Sequence, residues 1–358
     1  MKNDSVLVIN VGSSSIKYGL YVNNKSFLRG ELQRVVDFSK AARELLATIN
    51  QIQIRHDLKI KKVAYRVVRG INYKHHALIN KSVLNDIGKY IELDPVHAPQ
   101  TLKVIDFFMK NINAKHIACF DTVFHSTMPE VSKTYAIPIV LSKKHRIKRH
   151  GFHGLSHQYM ADFAKKYKRV ITCQLGNGIS ISAVKNGKSV DTTMGFTPLE
   201  GVMMGTRSGS IDPAIIEYLC KKEHKSVLEI TRLLQEESGF KGFTGKTDIR
   251  DVIQKSKQGD RNAKLAIDLF CYQIKKQIGA YVAALNGVDA IVLGGGISKN
   301  PNIVAEMLSD LDCLGIQLNL SKVKDEEKRP VCISKGKVNV FLVNADEQDI
   351  MFEISKKF

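Results

Sequence analysis

Apolar residues near the start of this chain follow a strand spacing with a polar interruption. Val6 to Ile9 form an apolar run, Asn10-Val11-Gly12-Ser13 breaks it, Ile16 to Val22 resume it, and Asn23-Asn24 turn the chain. The plan recurs from Thr172: a strand reaches Leu175, Gly176-Asn177-Gly178 break it, and Ile179, Ile181 and Ala183 alternate with Ser180 and Ser182. Asn186-Gly187 then supplies a tight hairpin turn. Two copies of strand, polar glycine corner, strand and Asn turn, offset by 164 residues (Asn10 to Gln174) with one gap, predict a duplicated fold. Such a corner exposes successive backbone N–H groups and lacks the Cβ atoms that would hold a phosphate off, so each copy is a candidate phosphate loop. On the second stretch alone, a plain bend serves equally well.

Between and after the copies the spacing changes. Ser39 to Ile54 carries apolar positions at helical intervals, Lys62 to Val68 reads as a strand delivering Arg66 and Arg69, and Lys81 to Tyr90 reads as a helix. Another helix is predicted from Pro95-Val96-His97-Ala98-Pro99 to Lys110. A buried strand over Lys115 to Phe120 ends at Asp121, where open α/β folds place ligand chemistry, although an Asp there also caps turns. Helices are predicted from Asp212-Pro213 to Cys220, over Ser226 to Glu237, over Arg261 to Leu285, and after Asn344-Ala345-Asp346-Glu347. Strands are predicted over Val288 to Leu293, ending in Gly294-Gly295-Gly296, and over Val338 to Val343. Gly245-Lys246-Thr247 imitates a nucleotide-binding loop, but Phe240 stands where that motif needs glycine and a helical pattern precedes it, so no such loop is predicted there.

A length of 358 residues with 44% hydrophobic content suits two domains with a core each. No run of 18 apolar residues and no signal pattern is found, so a cytoplasmic chain without membrane contact is expected. The six cysteines, at 119, 173, 220, 271, 313 and 332, include no CxxC and read as reduced core residues. His153 and His157 stand one helical turn apart, but Gly151 and Gly154 put His153 in a loop and no third ligand is evident, so no zinc site is predicted. The net charge of +19 comes from 54 Lys and Arg against 35 Asp and Glu, scattered with no aromatic-interleaved basic stripe. That favours attraction of small anions over nucleic-acid binding.

Read together, the stretches NVGSSSIK, RVV at 66 to 68, FDTVFHSTMP, GFHGLSH, LGNG, the segment from Lys185 to Pro213, and VLGGGIS resemble the acetate kinase family, with propionate kinases as relatives. The resemblance implies an α/β fold of duplicated ribonuclease-H-like domains around a central cleft, as in the actin, hexokinase and acetate kinase superfamily. Residues 1–145 with 346–358 would form one domain and 146–345 the other. It implies reversible transfer of the γ-phosphoryl of ATP to the carboxylate of acetate, with Mg²⁺ or Mn²⁺, by a homodimer. Alternatives are a propionate kinase of the same fold and a catalytically weak nucleotide-binding regulatory module.

By the same resemblance Arg66, Asp121, His153 and Arg207 serve catalysis, His153 and Arg207 as transition-state stabilisers. Arg66, Val68, Val96, His97, Phe152, Pro198 and Arg207 would surround the acid. Asn10, Ser13, Ser15, Lys17, Gly176, Asn177, Gly178, Asp248, Ile249, Arg250, Gly294, Gly295 and Gly296 would hold ATP. Asn10, Glu347 and Asp346 would hold the metal. Residue types suit the task, since donor and acceptor are both anions and need cations to bring them in line. The chain departs from the family pattern at Tyr65, Arg69 and Ile71, at Ala98 and Thr101 beside His97, at Gln174, Ser210, Ser298 and Lys299, and in a trimmed region after Tyr21.

Overall fold

The computed structural model describes residues 3–91, 97–319, 321–322 and 329–358. Their contacts divide into two units. The first comprises Met1–Ser126, His153–Tyr159 and Asp346–Phe358, and the second Thr127–Phe152 and Met160–Ala345.

The first unit holds β1 (Asn3–Val11), β2 (Ser15–Val22), β3 (Lys25–Gln33), β4 (Leu58–Val67), β5 (Ala77–Leu78) and β6 (Lys115–Phe120), in the sheet order β3-β2-β1-β4-β6-β5. The second holds β7 (Arg169–Leu175), β8 (Ile179–Lys185), β9 (Lys188–Thr192), β10 (Ala290–Gly294), β11 (Val331–Cys332) and β12 (Asn339–Leu342), in the order β9-β8-β7-β10-β12-β11. Strand for strand the two orders are the same. In each, three antiparallel strands precede two parallel pairings and an antiparallel edge. This is the duplicated α/β architecture the repeated hairpin predicts. The matching turns agree in backbone: Asn23 and Asn24 have φ of 50° and 64°, Asn186 and Gly187 φ of 50° and 75°. Positive φ at both central positions suits the right-handed twist of a two-residue hairpin.

In the first unit, β1 sends Leu7 and Ile9 to one side, against Leu45 and Ile49 of the helix Phe38–Arg55 and Val104 and Phe108 of the helix Ala98–Asn111. Val8 faces the other side with Ala64 and Cys119, where Ile350, Met351 and Phe352 of the helix Glu347–Ser355 cover the sheet. Tyr21 stacks on Phe352 with ring centroids 4.2 Å apart. Each large apolar side chain enclosed this way stabilises the fold by roughly 1.5–3 kcal/mol. Asn10 follows Val8 by two residues, so strand alternation puts it on the face of the C-terminal helix.

In the second unit, the helix Arg261–Leu285 buries Ala263, Ala266, Ile267, Phe270, Ile274, Ile278 and Tyr281, a helical stripe that lies against β8. In β8, Ser180 and Ser182 are as buried as Ile179 and Ile181. One expectation needs amendment: Cys313 is exposed and Cys220 and Cys332 are half-buried, so only Cys119, Cys173 and Cys271 are core residues. Another expectation holds: Gly239–Thr244, ahead of Lys246, is a short helix capped by Gly245, which is not the strand a nucleotide-binding loop needs.

Candidate active site

In the first unit β1, β4 and β6 run parallel side by side, so their carboxyl ends bring together Asn10, Arg66 and Asp121. Arg66 donates from Nε to both oxygens of Asp121, at 3.2 and 3.1 Å, and from Nη2 to Oδ2 at 2.7 Å. Its Nη1 meets Glu347 Oε2 at 2.9 Å and Asn10 Oδ1 at 3.5 Å. Asn10 Nδ2 donates to the same Glu347 oxygen at 2.7 Å, and Ser156 Oγ donates to Glu347 Oε1 at 2.9 Å. One guanidinium therefore bridges two carboxylates. Burial pushes the carboxyl of Asp121 up to about 6; Arg66 opposes that shift, Glu347 adds to it, and the charge of His97 lowers it.

The position of His153 is set by backbone geometry. It has φ of 56°, rare for a residue with a side chain, and its carbonyl accepts from His157 N–H at 2.9 Å. The next residue must be glycine: a Cβ on Gly154 would stand 1.9 Å from the Asp121 carbonyl oxygen. The close packing of these two backbones sets His153 beside the Asp121 loop. His157 is enclosed and held neutral by burial and then by the charges of His125 and His153.

The other expected residues of this unit are more dispersed. His97 stands just before the helix Ala98–Asn111, and Val68 follows β4; Val96 lies outside the described residues. Beside Val68, Tyr90 and Thr101 line a cavity of about 10 Å³, the space of one water. In the first corner Gly12 N–H donates to Ser15 O at 2.8 Å, Ser13 is exposed, and Lys17 stands 3.9 Å from Glu31. Asp346 does not share the surroundings of Glu347: one carboxylate oxygen caps Gln348 N–H at 2.7 Å and the other pairs with Arg29, which also holds Asp349. Sequence reasoning missed Ser156 and Arg29. The only signal for Ser156 is its place three residues after His153, and nothing local marks Arg29.

In the second unit, Gly176-Asn177-Gly178 joins β7 to β8. Gly176 N–H donates to Gly178 O at 3.2 Å, and Asn177 O accepts from Gly205 N–H at 3.2 Å. The run 294–296 begins at the last residue of β10, the neighbour of β7. Gly295 has φ of 88°, and a Cβ there would lie 2.4 Å from Leu175 O, so glycine is what lets the two corners meet. Asp248 caps the helix Ile249–Lys257 and folds the Arg250 guanidinium onto itself, Nε to Oδ1 at 3.0 Å; Ile249 is buried. Arg207 Nη1 donates to Pro198 O at 3.3 Å, tying the arginine to its own loop, and Phe152 is enclosed. Arg149 braces that loop from behind, with Nη2 on Glu200 at 2.6 Å and Nη1 on the carbonyls of Thr192 and Thr193. Among the described residues no helix is long and apolar enough to cross a membrane.

Known proteins resemble this chain throughout. The sequence profile of the acetokinase family matches residues 29–353. An acetate kinase of Caldicellulosiruptor saccharolyticus is 39% identical over 395 aligned positions, covering 98% of each chain. The crystal structures of a propionate kinase from Francisella tularensis and of Porphyromonas gingivalis acetate kinase superpose with TM-scores of 0.90 and 0.89, at 34% and 31% identity, over 99% of each chain. On sequence and on fold alike, the chain belongs to the acetokinase family, ATP-dependent phosphotransferases with a carboxyl group as acceptor.

Proposed function

We propose that the chain transfers the γ-phosphoryl of ATP to the carboxylate of acetate in a single in-line step, giving acetyl phosphate and ADP, and that it runs the reverse reaction. A carboxylate oxygen forms the new bond to phosphorus while the bond to the β–γ bridging oxygen breaks and ADP leaves. The acid is already ionised near neutral pH, so no proton has to move. The demand falls on cations and donors that hold two anions and the spreading charge between them. The observation that carries the reading is Arg66, clamped from behind by buried Asp121 at the carboxyl end of three parallel strands. Arg66 and Arg207 would hold the acid and the transferring group, and His153 the equatorial oxygens. The glycine corners of both units would cradle the phosphates, with Asp248, Ile249, Arg250 and the run 294–296 against the nucleoside.

The donors around Glu347 suit a hard divalent cation, being carboxylate and amide oxygens. Mg²⁺ would be held by Glu347 and Asn10, without Asp346, whose carboxylate is taken by Gln348 N–H and Arg29, and would neutralise phosphate charge when bound. A homodimer is proposed on the same family grounds.

Propionate is the second reading. Its support is the likeness to the Francisella propionate kinase and valine at position 96, a side chain shorter than leucine by one methylene. One methylene is worth about 0.8 kcal/mol, so acetate and propionate are expected to have kcat/KM values within roughly tenfold of each other. ATP-dependent acyl hydroxamate formation across acids from formate to butyrate tests both readings. Acetate or propionate should lead and butyrate trail; no hydroxamate with any of them would refute the assignment.

A further inference from the structure

The loop 195–201 starts and ends on glycines and carries Pro198 near its middle. Gly201 has φ of 120°, and such backbone freedom leaves the loop's shape to be fixed by side chains. Tyr135, between the short helices Glu130–Lys133 and Ile139–His145, supplies the main tie. Its hydroxyl accepts from Phe196 N–H at 2.7 Å and donates to Glu200 Oε2. A single oxygen thus closes the stretch from Phe196 to Glu200 into a ring, with Pro198 opposite the tie. Arg149 Nη2 holds the other Glu200 oxygen at 2.6 Å, and its guanidinium lies 5.5 Å from the centre of the Tyr135 ring.

The ring is drawn tight. A Cβ on Gly195 would stand 1.6 Å from Glu200 Oε2 and 2.1 Å from the Tyr135 hydroxyl oxygen, so carboxylate and phenol lie directly against the start of the loop. Burial, and then Glu200, push the Tyr135 hydroxyl well above its ordinary pKa, so it remains a donor across neutral pH. The side chains of Arg149 and Glu200 keep 19% and 28% of their surfaces exposed. Desolvation offsets much of the attraction in such a pair, and its main product is a fixed geometry. What depends on that geometry is Arg207, whose Nη1 donates to Pro198 O at 3.3 Å. The carbonyl opposite the tie therefore sets the reach of that guanidinium. A misplacement of about 1 Å in a group that orients substrate costs on the order of 10²-fold in rate.

We propose that Tyr135, Glu200 and Arg149 are positioning residues for the acid: they lock the loop so that Pro198 bounds the acyl group and Arg207 meets the carboxylate. This rests on the phosphoryl-transfer reading above. Their effect runs through Pro198 and Arg207, so it falls on the acid and its chain length and spares the nucleotide.

Three substitutions test the proposal. Tyr135→Phe keeps the ring beside Arg149 and removes only the hydroxyl tie, Glu200→Ala removes the carboxylate, and Glu200→Gln keeps its shape and an acceptor. Each is read by kcat/KM for acetate, propionate and butyrate in acyl hydroxamate formation, by calorimetric ADP affinity and by thermal midpoint. Tyr135→Phe and Glu200→Ala should each lower kcat/KM for the leading acid roughly tenfold or more, the worth of the hydrogen bonds lost. ADP affinity should stay at the wild-type value, and the penalty against butyrate should shrink, because the wall at Pro198 is no longer held. Glu200→Gln should recover part of the acid efficiency. Wild-type acid kinetics and selectivity in Tyr135→Phe and Glu200→Ala overturn the proposal. So does a lowered midpoint with equal losses toward ADP and acid, the mark of a packing role. If alanine at position 200 prevents folding, Tyr135→Phe and Glu200→Gln decide on the same readouts. Wild-type protein that forms no acyl hydroxamate with any acid would instead refute the transfer reading.

Discussion

Arg66 closes on Asp121 through two of its nitrogens, and the carboxylate it holds is wholly enclosed, whereas the arginine side chain keeps 18% of its surface exposed. The pair is therefore asymmetric: Asp121 depends on Arg66 for its charge, and Arg66 keeps an accessible edge. Replacing Arg66 with alanine should slow turnover at least ~100-fold, through loss of a preorganised cation. It should also destabilise the fold by about 3 kcal/mol near neutral pH, because a buried carboxylate is left unpaired. Adding Asp121→Asn should restore most of the stability and none of the turnover. Denaturant unfolding of the single and double variants checks this, and a double variant no more stable than Arg66→Ala would refute the pairing argument.

Two adjacent glycines should behave differently. Alanine at Gly295 meets both a positive φ and the Leu175 carbonyl, whereas at Gly296 no atom lies within 4 Å of the new methyl. Gly295→Ala is expected to lower the thermal midpoint by several degrees and to weaken ATP binding. Gly296→Ala should leave the midpoint within about 2 °C, as surface substitutions do, so that any rise in its KM for ATP reports ligand approach alone. Equal midpoints for the two variants would contradict the close contact drawn at Gly295.

Ser156 holds the Glu347 oxygen that neither Arg66 nor Asn10 takes. Ser156→Ala should therefore raise the Mg²⁺ concentration needed for half-maximal turnover by roughly tenfold, the worth of a hydrogen bond to a carboxylate. Mn²⁺ binding should weaken in parallel, and Ser156→Thr, which keeps the hydroxyl, should recover both. An unchanged metal dependence in the alanine variant would separate Ser156 from the metal site.

A pH effect on stability should arise at His76. Phe120 N–H donates to its Nδ1 at 3.1 Å, a bond that only the unprotonated ring accepts, and burial pushes its pKa down to about 4 from an ordinary 6.5. Between those values the folded chain binds fewer protons than the unfolded one, so stability falls as pH falls through the window. The loss is at most about 3 kcal/mol. His76→Gln, which keeps an acceptor without titrating, should flatten the profile from pH 7 to pH 4. If the wild type and the variant lose stability in parallel, His76 is not the cause.

Elements with long periodic patterns are legible in the amino-acid order alone. The strand Lys115–Phe120 and the helix Arg261–Leu285 fall on the residues the spacing predicts, because burial of one face forces that spacing. The two-residue strands β5 and β11 leave no such trace, since a pair of residues cannot show a period. The alternation in β8 does not reveal that its serines are enclosed, which is possible because the backbone supplies partners: Ser182 Oγ donates to Asp191 O at 2.9 Å.

The candidate site divides the same way. The sequence by itself determined the duplication, the glycine corners and the identity of the cations, because these depend on local residue type and on repetition along the chain. Asp346 and Glu347, adjacent in sequence, look like one metal-binding pair. Only the tertiary structure parts them. Asp346 is the extended residue capping a helix and Glu347 the first residue within it, so their side chains leave the backbone in different directions. Asp346 goes to Arg29, and Glu347 to Asn10, Arg66 and Ser156. Those partners come from residues 10 to 156 of a chain in which Glu347 is almost the last. Contacts at such separation are set by which strands lie parallel and which helix covers them, and no local pattern encodes that.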